Sequence, residues 1–343
     1  MIKEFYHYPQ EFRFESGETL PSIDLCFHHS NNLDSQLHVI WICHALTANS
    51  NPEEWWDVLV GKGKLIDPEK FRIVCSNMLG SCYGSSGPSS KDVDGKEYLL
   101  RFPKVTVRDI VQSHELLRRH LKIDEIDLLI GGSIGGFQTL EWSIINPKVI
   151  KSQVLIACNA KVSPWGTAFN ESQRMALFAD KSFGEQSSIR GGESGLAAAR
   201  SIALISYRSY EGYCQTQAEA NDNFLFASRA SSYQNYQGKK LVDRFDAYSY
   251  YNLTKSVDSH NVGRARGGVI EALSTIKAKT IVIGIDSDYL FPVSEQKFLA
   301  ENIPGAIYCE ISSDFGHDGF LLEWEQISNI LIKNYSLFDK CKY

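Results

Sequence analysis

The chain has 343 residues, 43% of them hydrophobic and 22% charged, and a formal net charge of −6. That length suits one large α/β domain carrying an insertion, and the lack of any basic run argues against a nucleic-acid partner. The opening Met1-Ile2-Lys3-Glu4-Phe5-Tyr6-His7-Tyr8 has no apolar core of signal-peptide length. No stretch approaches the roughly 20 apolar residues that cross a bilayer, so a cytoplasmic location without membrane contact is expected.

In chain order, Leu37 to Cys43 reads as a strand that closes on His44-Ala45-Leu46-Thr47, and Phe71 to Cys75 as a second. Val107 to Leu121 has helical spacing, with Ile110, Val111, His114, Leu117 and His120 recurring every three to four residues. Strands follow at Ile126 to Ile130, Ile150 to Ala157, Thr280 to Ile285 and Ile307 to Ile311. Short apolar runs separated by helical patterns predict a mostly parallel sheet with helices on both faces. Residues 163–276 break the rhythm. They are rich in Ala, Ser, Arg, Tyr and Gln and include strong helix formers from Gly195 to Leu204. A connection that long without a strand reads as an inserted helical lid. The expected division is a core of 1–162 and 277–343 around a lid of 163–276.

The eight cysteines, at 26, 43, 75, 82, 158, 214, 309 and 341, form no C-x-x-C pair. They read as small buried hydrophobes rather than a disulfide framework. Cys and His do not cluster at ligand spacing, so no metal site is expected.

The most informative run is Leu128-Leu129-Ile130-Gly131-Gly132-Ser133-Ile134-Gly135-Gly136, followed by the helical pattern from Phe137. A strand ends in a tight turn with one hydroxyl among small residues. This is the G-x-S-x-G nucleophile elbow, Gly131-x-Ser133-x-Gly135, whose strained turn lifts a serine clear of the sheet. A serine hydroxyl is a weak nucleophile until a base takes its proton. Histidine suits that task near neutral pH, and a carboxylate holds its tautomer. In the fold that uses this elbow the order is serine, acid, histidine. Only His260 and His317 follow Ser133. His260 falls in the lid, whereas His317 follows the last strand, where the base is delivered. The acid belongs after the strand ending at Ile285; Asp286 and Asp288 both stand there, and spacing does not separate them. The oxyanion donors expected are the N–H of Ile134 and one from the His44–Thr47 loop. Leu46 is favoured in that loop, with a register one residue off as the alternative. His44 precedes the serine and reads as structural.

Taken together, these motifs resemble the homoserine O-acyltransferase family of α/β-hydrolases. The resemblance is carried by Cys43-His44-Ala45-Leu46-Thr47, Trp55-Trp56-Asp57 and Gly61-Lys62-Gly63-Lys64. It continues in the run from Cys75 to Pro88, Phe102 to Asp109, the elbow, Ser287 to Pro292 and Gly316 to Phe320. It implies an α/β-hydrolase fold and a triad of Ser133, Asp288 and His317, so the acid is taken as Asp288 by resemblance. It also implies that Arg200 in the lid receives the carboxylate of an amino-acid substrate and Asp318 its ammonium, with Tyr207 lining the pocket. A guanidinium suits bidentate binding of a carboxylate. Two departures stand near the expected site: Cys26-Phe27-His28-His29-Ser30 replaces a familiar N-terminal stretch, and Ala48 a usual glycine.

The activity this implies is transfer of an acetyl group from acetyl-CoA to the side-chain hydroxyl of L-homoserine through an acyl-serine, a step of methionine biosynthesis. The resemblance further implies acetyl-CoA as co-substrate, no bound cofactor and a homodimer. Rival readings are succinyl-CoA or L-serine as substrates, a plain serine esterase or thioesterase, and a non-enzymatic scaffold that keeps the fold.

Overall fold

The computed structural model describes residues 1–31, 36–184 and 188–341. Eight of its ten strands form one sheet. In chain order the strands are β1 (Ile2–Tyr8), β2 (Phe12–Arg13), β3 (Thr19–Leu20), β4 (Ile23–His29) and β5 (Val39–Cys43). They continue with β6 (Arg72–Ser76), β7 (Leu128–Gly132), β8 (Ser152–Ile156), β9 (Lys279–Ile285) and β10 (Ile307–Ile311). The large sheet runs β1-β4-β6-β5-β7-β8-β9-β10, and β2 pairs separately with β3. From β6 to β10 all pairings are parallel; β1 and β4 join antiparallel.

The six parallel strands fall where the apolar runs predict them, because a strand covered on both faces is apolar throughout. Every residue of β5 and β7 is buried. Trp41 and Cys43 of β5 pack with Ile110, Leu117, Phe137 and Leu140 on one face. Ile40 and Ile42 pack with Trp56, Leu59, Ile327 and Leu331 on the other. The antiparallel strands β1 and β4 were not anticipated. β1 is mostly exposed at the sheet edge, and its polar and apolar residues do not alternate.

The helix at Val107–His120 starts where its spacing says. The Thr106 side chain accepts from the Asp109 N–H, and the Asp109 carboxylate accepts from the Thr106 N–H at 2.8 Å. This reciprocal pair satisfies two otherwise orphaned donors.

Between β8 and β9 the described residues contain six helices and no strand: Pro164–Ala179, Glu193–Tyr207, Tyr210–Gln217, Arg229–Val242, Ala247–Asp258 and Val269–Ser274. Several contacts tie this insertion to the sheet layer. Ser256 donates to the Val105 carbonyl at 2.8 Å. His260 stacks on Phe137 with ring centroids 3.9 Å apart. Buried Glu141 of the elbow helix pairs with Arg266, and also with Arg108 at 3.3 Å.

Of the cysteines, Cys26, Cys43, Cys75 and Cys158 are buried, and Cys82 and Cys309 half-buried. Cys214 corrects the expectation: it lies exposed on the Tyr210–Gln217 helix. The side chain of Cys341 lies outside the described residues. Among those residues no helix is long and apolar enough to cross a membrane.

Three histidines are built into the interior as neutral rings. His44 Nδ1 donates to the Ala45 carbonyl at 2.8 Å, and its Nε2 accepts from the Met78 N–H at 3.0 Å. His114 donates to Gln138 Oε1 at 2.9 Å, and His260 to the Asn159 carbonyl at 2.7 Å. Burial pushes each down to about 4. Their unfolded counterparts bind protons near pH 6.5, so this stability is complete above that pH and is lost as pH falls toward 4. Each contributes on the order of 3 kcal/mol. The expected result is a Tm that drops steadily from pH 6.5 to 4 in a calorimetric pH series. A flat Tm across that range would contradict the neutral-ring assignment.

Candidate active site

The elbow forms because β7 runs straight into the helix Ile134–Ile145, with Ser133 as the hinge. Ser133 has φ +57° and ψ −128°, a strained conformation for a residue with a side chain. The turn closes only without side chains at its flanks. A Cβ on Gly131 would sit 2.3 Å from the Gly135 backbone, and one on Gly135 would sit 2.2 Å from the Cys43 carbonyl oxygen. The Ser133 N–H donates to the Ile156 carbonyl at 3.0 Å, which locks the hinge to β8. The hydroxyl is thereby held above the ends of the central strands.

His317 lies in the turn Gly316–Asp318 beyond β10. Its Nδ1 stands 2.7 Å from Asp288 Oδ2, with both side chains buried. The other oxygen, Asp288 Oδ1, accepts from the N–H groups of Leu290 at 2.8 Å and Phe291 at 3.0 Å. These bonds fix the carboxylate, and the carboxylate fixes the ring, so the proton of the neutral ring sits on Nδ1. His317 Nε2 is buried and makes no hydrogen bond within the protein. Burial works against the protonated ring. The charge of Asp288, its hydrogen bond and the more distant charge of Asp318 together outweigh it, and the net shift is upward. The alternative acid is engaged elsewhere: Asp286 accepts from the Ser313 N–H at 3.1 Å. The alternative base, His260, is spent on its bond to Asn159.

Ser133 and His317 line one cavity of about 600 Å³, a volume typical of small-molecule sites. Leu46, Arg200, Tyr207 and Asp318 line the same cavity. Ile134 lines a second, much smaller chamber behind it, which Ser133 and Leu46 share. As the first residue of its helix, Ile134 has an N–H with no intrahelical acceptor. The chain thus brings all eight residues singled out in the sequence to one place. A larger cavity of about 950 Å³ lies among the insertion's helices, but it contains neither Ser133 nor His317.

Arg200 lies over the Tyr207 ring, its guanidinium carbon 5.6 Å from the centroid, and no carboxylate pairs with it among the described residues. Tyr207 in turn faces His317, ring centroids 5.8 Å apart. Burial pushes the Tyr207 hydroxyl up, which keeps it a neutral donor at ordinary pH. Asp318 is not free: Arg208 Nη2 lies 3.3 Å from its Oδ2.

Sequence reading missed Arg208, Lys240 and Arg244, which join Arg200 on the cavity wall. Arg244 reaches from the insertion to the loops after β5 and β6, donating to the Thr47 carbonyl and, at 2.6 Å, to the Tyr83 hydroxyl. No local pattern separates these cations from surface ones; only their convergence does. Four cations against the acidic Glu54 and Asp318 make a wall suited to anionic ligands. Chemically, the arrangement offers a hydroxyl, a buried base with one free nitrogen, an orienting carboxylate and backbone donors.

Residues 38–323 match the family described as alpha/beta hydrolase fold. The chain is 43% identical over 340 residues to the homoserine O-acetyltransferase of Cyclobacterium marinum, covering 98% of this chain and 95% of that relative. It superposes on the crystal structure of homoserine O-acetyltransferase from Bacillus anthracis with a TM-score of 0.89, at 21% identity and 97% coverage of both chains; this likeness is one of fold. An acetylester hydrolase from Corynebacterium glutamicum is also similar, with a TM-score of 0.85 and 25% identity over 98% of this chain and 96% of that one.

Proposed function

Because the chain belongs to the homoserine O-acyltransferase family of α/β-hydrolases, we propose that it transfers an acetyl group from acetyl-CoA to the side-chain hydroxyl of L-homoserine through an acyl-serine. The observation that carries this reading is His317, oriented by Asp288 and with Nε2 free, sharing one cavity with Ser133, Arg200 and Asp318.

In this reading Ser133 Oγ attacks the thioester carbonyl while His317 Nε2 takes the hydroxyl proton. The N–H groups of Leu46 and Ile134 receive the developing oxyanion; such a donor is worth about 3–4 kcal/mol where it has been measured. The C–S bond breaks, and His317 returns the proton to the departing sulfur. The acetyl group remains as an ester on Ser133. Homoserine then enters, its carboxylate on Arg200 and its ammonium on Asp318. His317 takes the proton of its side-chain hydroxyl, the new ester forms, and the proton passes back to Ser133 Oγ. Asp318 exchanges its Arg208 partner for the ammonium as the amino acid binds. Residues 163–276 act as the lid that holds the acceptor in line and limits water, the competing acceptor. The same reading places the product in methionine biosynthesis and the protein in the cytoplasm as a homodimer.

The test is intact-mass spectrometry after mixing with acetyl-CoA alone, then with homoserine. The expected result is one acetyl adduct on Ser133, discharged as O-acetylhomoserine. Turnover with homoserine without any adduct under rapid quenching contradicts the covalent route. The likeness to an acetylester hydrolase favours one rival, simple hydrolysis. In that case acetate forms at the same rate with or without homoserine.

Arg200→Lys separates recognition from chemistry. A lysine keeps the charge but loses the planar fork. KM for homoserine is expected to rise roughly 10- to 100-fold, with the rate of adduct formation from acetyl-CoA little changed. Equal loss in both half-reactions contradicts the assignment.

A further inference from the structure

Behind Ser133 lies a small chamber of about 30 Å³, shared by Leu46, Ser133 and Ile134 on one side. We propose that it is the subsite for the acyl group of the donor, and that Phe169 and Val257 limit that group to two carbons. The proposal rests on the acyl-transfer reading and adds to it the site that selects the donor.

The assignment follows from what surrounds the acyl carbon. Once joined to Ser133 Oγ, that carbon carries three further groups: the oxygen, the departing sulfur or incoming hydroxyl, and the acyl chain. The oxygen takes the direction of the Leu46 and Ile134 N–H groups. The sulfur and the hydroxyl must both exchange a proton with His317, which lines the large cavity and not the small chamber. The handles for the amino acid, Arg200 and Asp318, are on that large side too. The acyl chain is left with the chamber.

The apolar part of the chamber wall is Phe137, Phe169, Val257, Leu290 and Phe291. Phe137 is clamped against His260 and meets Phe291 edge-on at 5.5 Å. Phe291 also meets the His317 ring at 5.2 Å, so this side cannot retreat without disturbing the base. Phe169 and Val257 come from insertion helices and can change independently of the triad. About 30 Å³ admits a methyl group; a water needs roughly 10–15 Å³ on a comparable measure. It does not admit the longer succinyl chain. Nor is there a cation for a terminal carboxylate. No Lys, Arg or His lines the chamber, whose polar lining is Asn170, which donates to Asp258 at 2.8 Å, Gln173, whose oxygen accepts from Tyr250 at 2.6 Å, and the hydroxyls of Ser133, Ser206 and Tyr207. A carboxylate there would be buried without a counter-charge.

The experiment compares kcat/KM for acetyl-, propionyl-, butyryl- and succinyl-CoA with homoserine, in the wild type, Phe169→Ala and Val257→Ala. Hydrolysis of p-nitrophenyl acetate, propionate and butyrate is measured alongside. One methylene against a fitted apolar wall is commonly worth about 10- to 200-fold. The expected result is propionyl-CoA at least about tenfold below acetyl-CoA, and succinyl-CoA far lower. Phe169→Ala should raise the propionyl-to-acetyl ratio by about tenfold or more, and Val257→Ala by less, because it removes less volume. Succinyl-CoA used as well as acetyl-CoA, or a length order that neither variant alters, overturns the proposal. If neither variant folds, the wild-type series decides. Transfer to homoserine without any length preference removes the subsite and keeps the transferase reading. A sharp length limit on the p-nitrophenyl esters without transfer to homoserine does the reverse. No reaction with any ester removes both.

Discussion

Ser133→Ala is expected to lower acyl transfer from acetyl-CoA to homoserine by about 10⁵-fold or more, the scale seen when the nucleophile of a serine enzyme is removed. The reason is that the hydroxyl is the only group at the elbow that could carry the acyl group. Its strained turn, φ +57°, exists between glycines that leave no room for an alternative side chain. Alanine suits that turn no worse than serine, so the fold should persist and the circular dichroism spectrum should match. Two readings check the effect together: steady-state kcat/KM, and the acetyl adduct by intact mass. Retention of more than about 1% activity, well above the expected residue, excludes Ser133 as the acyl carrier.

Asp288→Asn is expected to lower kcat/KM by about 10⁴-fold, as in the comparable substitution of a serine protease. The backbone N–H groups of Leu290 and Phe291 will demand the remaining amide oxygen, since they now bond Asp288 Oδ1. The amide NH₂ then faces His317 Nδ1, which must become an acceptor. The ring proton moves to Nε2, the atom that has to be free to take the serine proton. A direction in pH accompanies the loss. The Asp288 charge and hydrogen bond raise the pKa of His317 against burial. Without them burial prevails and the pKa falls. Activity requires the neutral ring, so it is lost as pH falls through that pKa. In the variant the acidic limb of the residual activity should therefore move to lower pH. A limb that stays in place, or moves upward, contradicts the role given to Asp288. Asp286→Asn is the control, because Asp286 bonds a backbone N–H and not the ring.

These effects concentrate on residues that differ in how far their neighbourhood is local. The elbow was legible because its causes lie within a few residues: strand, tight turn, helix, and glycines where a Cβ would strike backbone. The parallel strands were legible for a similar reason, since double burial writes continuous apolar runs into the chain. The edge strand β1 was not, because an exposed edge imposes no such pattern on it. Asp286 and Asp288 stand two residues apart in one turn, and periodicity treats them alike. Resemblance pointed to Asp288, and the coordinates supply the cause in its bonds to the ring and to two backbone N–H groups.

A covered parallel sheet and the elbow could be read from residue order alone, because each depends on contacts between near neighbours or on runs of one character. Tertiary structure decided the rest. It set Arg208 against Asp318, stretched Arg244 across to Thr47 and Tyr83, and closed a small chamber between the elbow and two distant helices. Those outcomes depend on distances between segments well separated along the chain, and burial and charge act through space rather than along it.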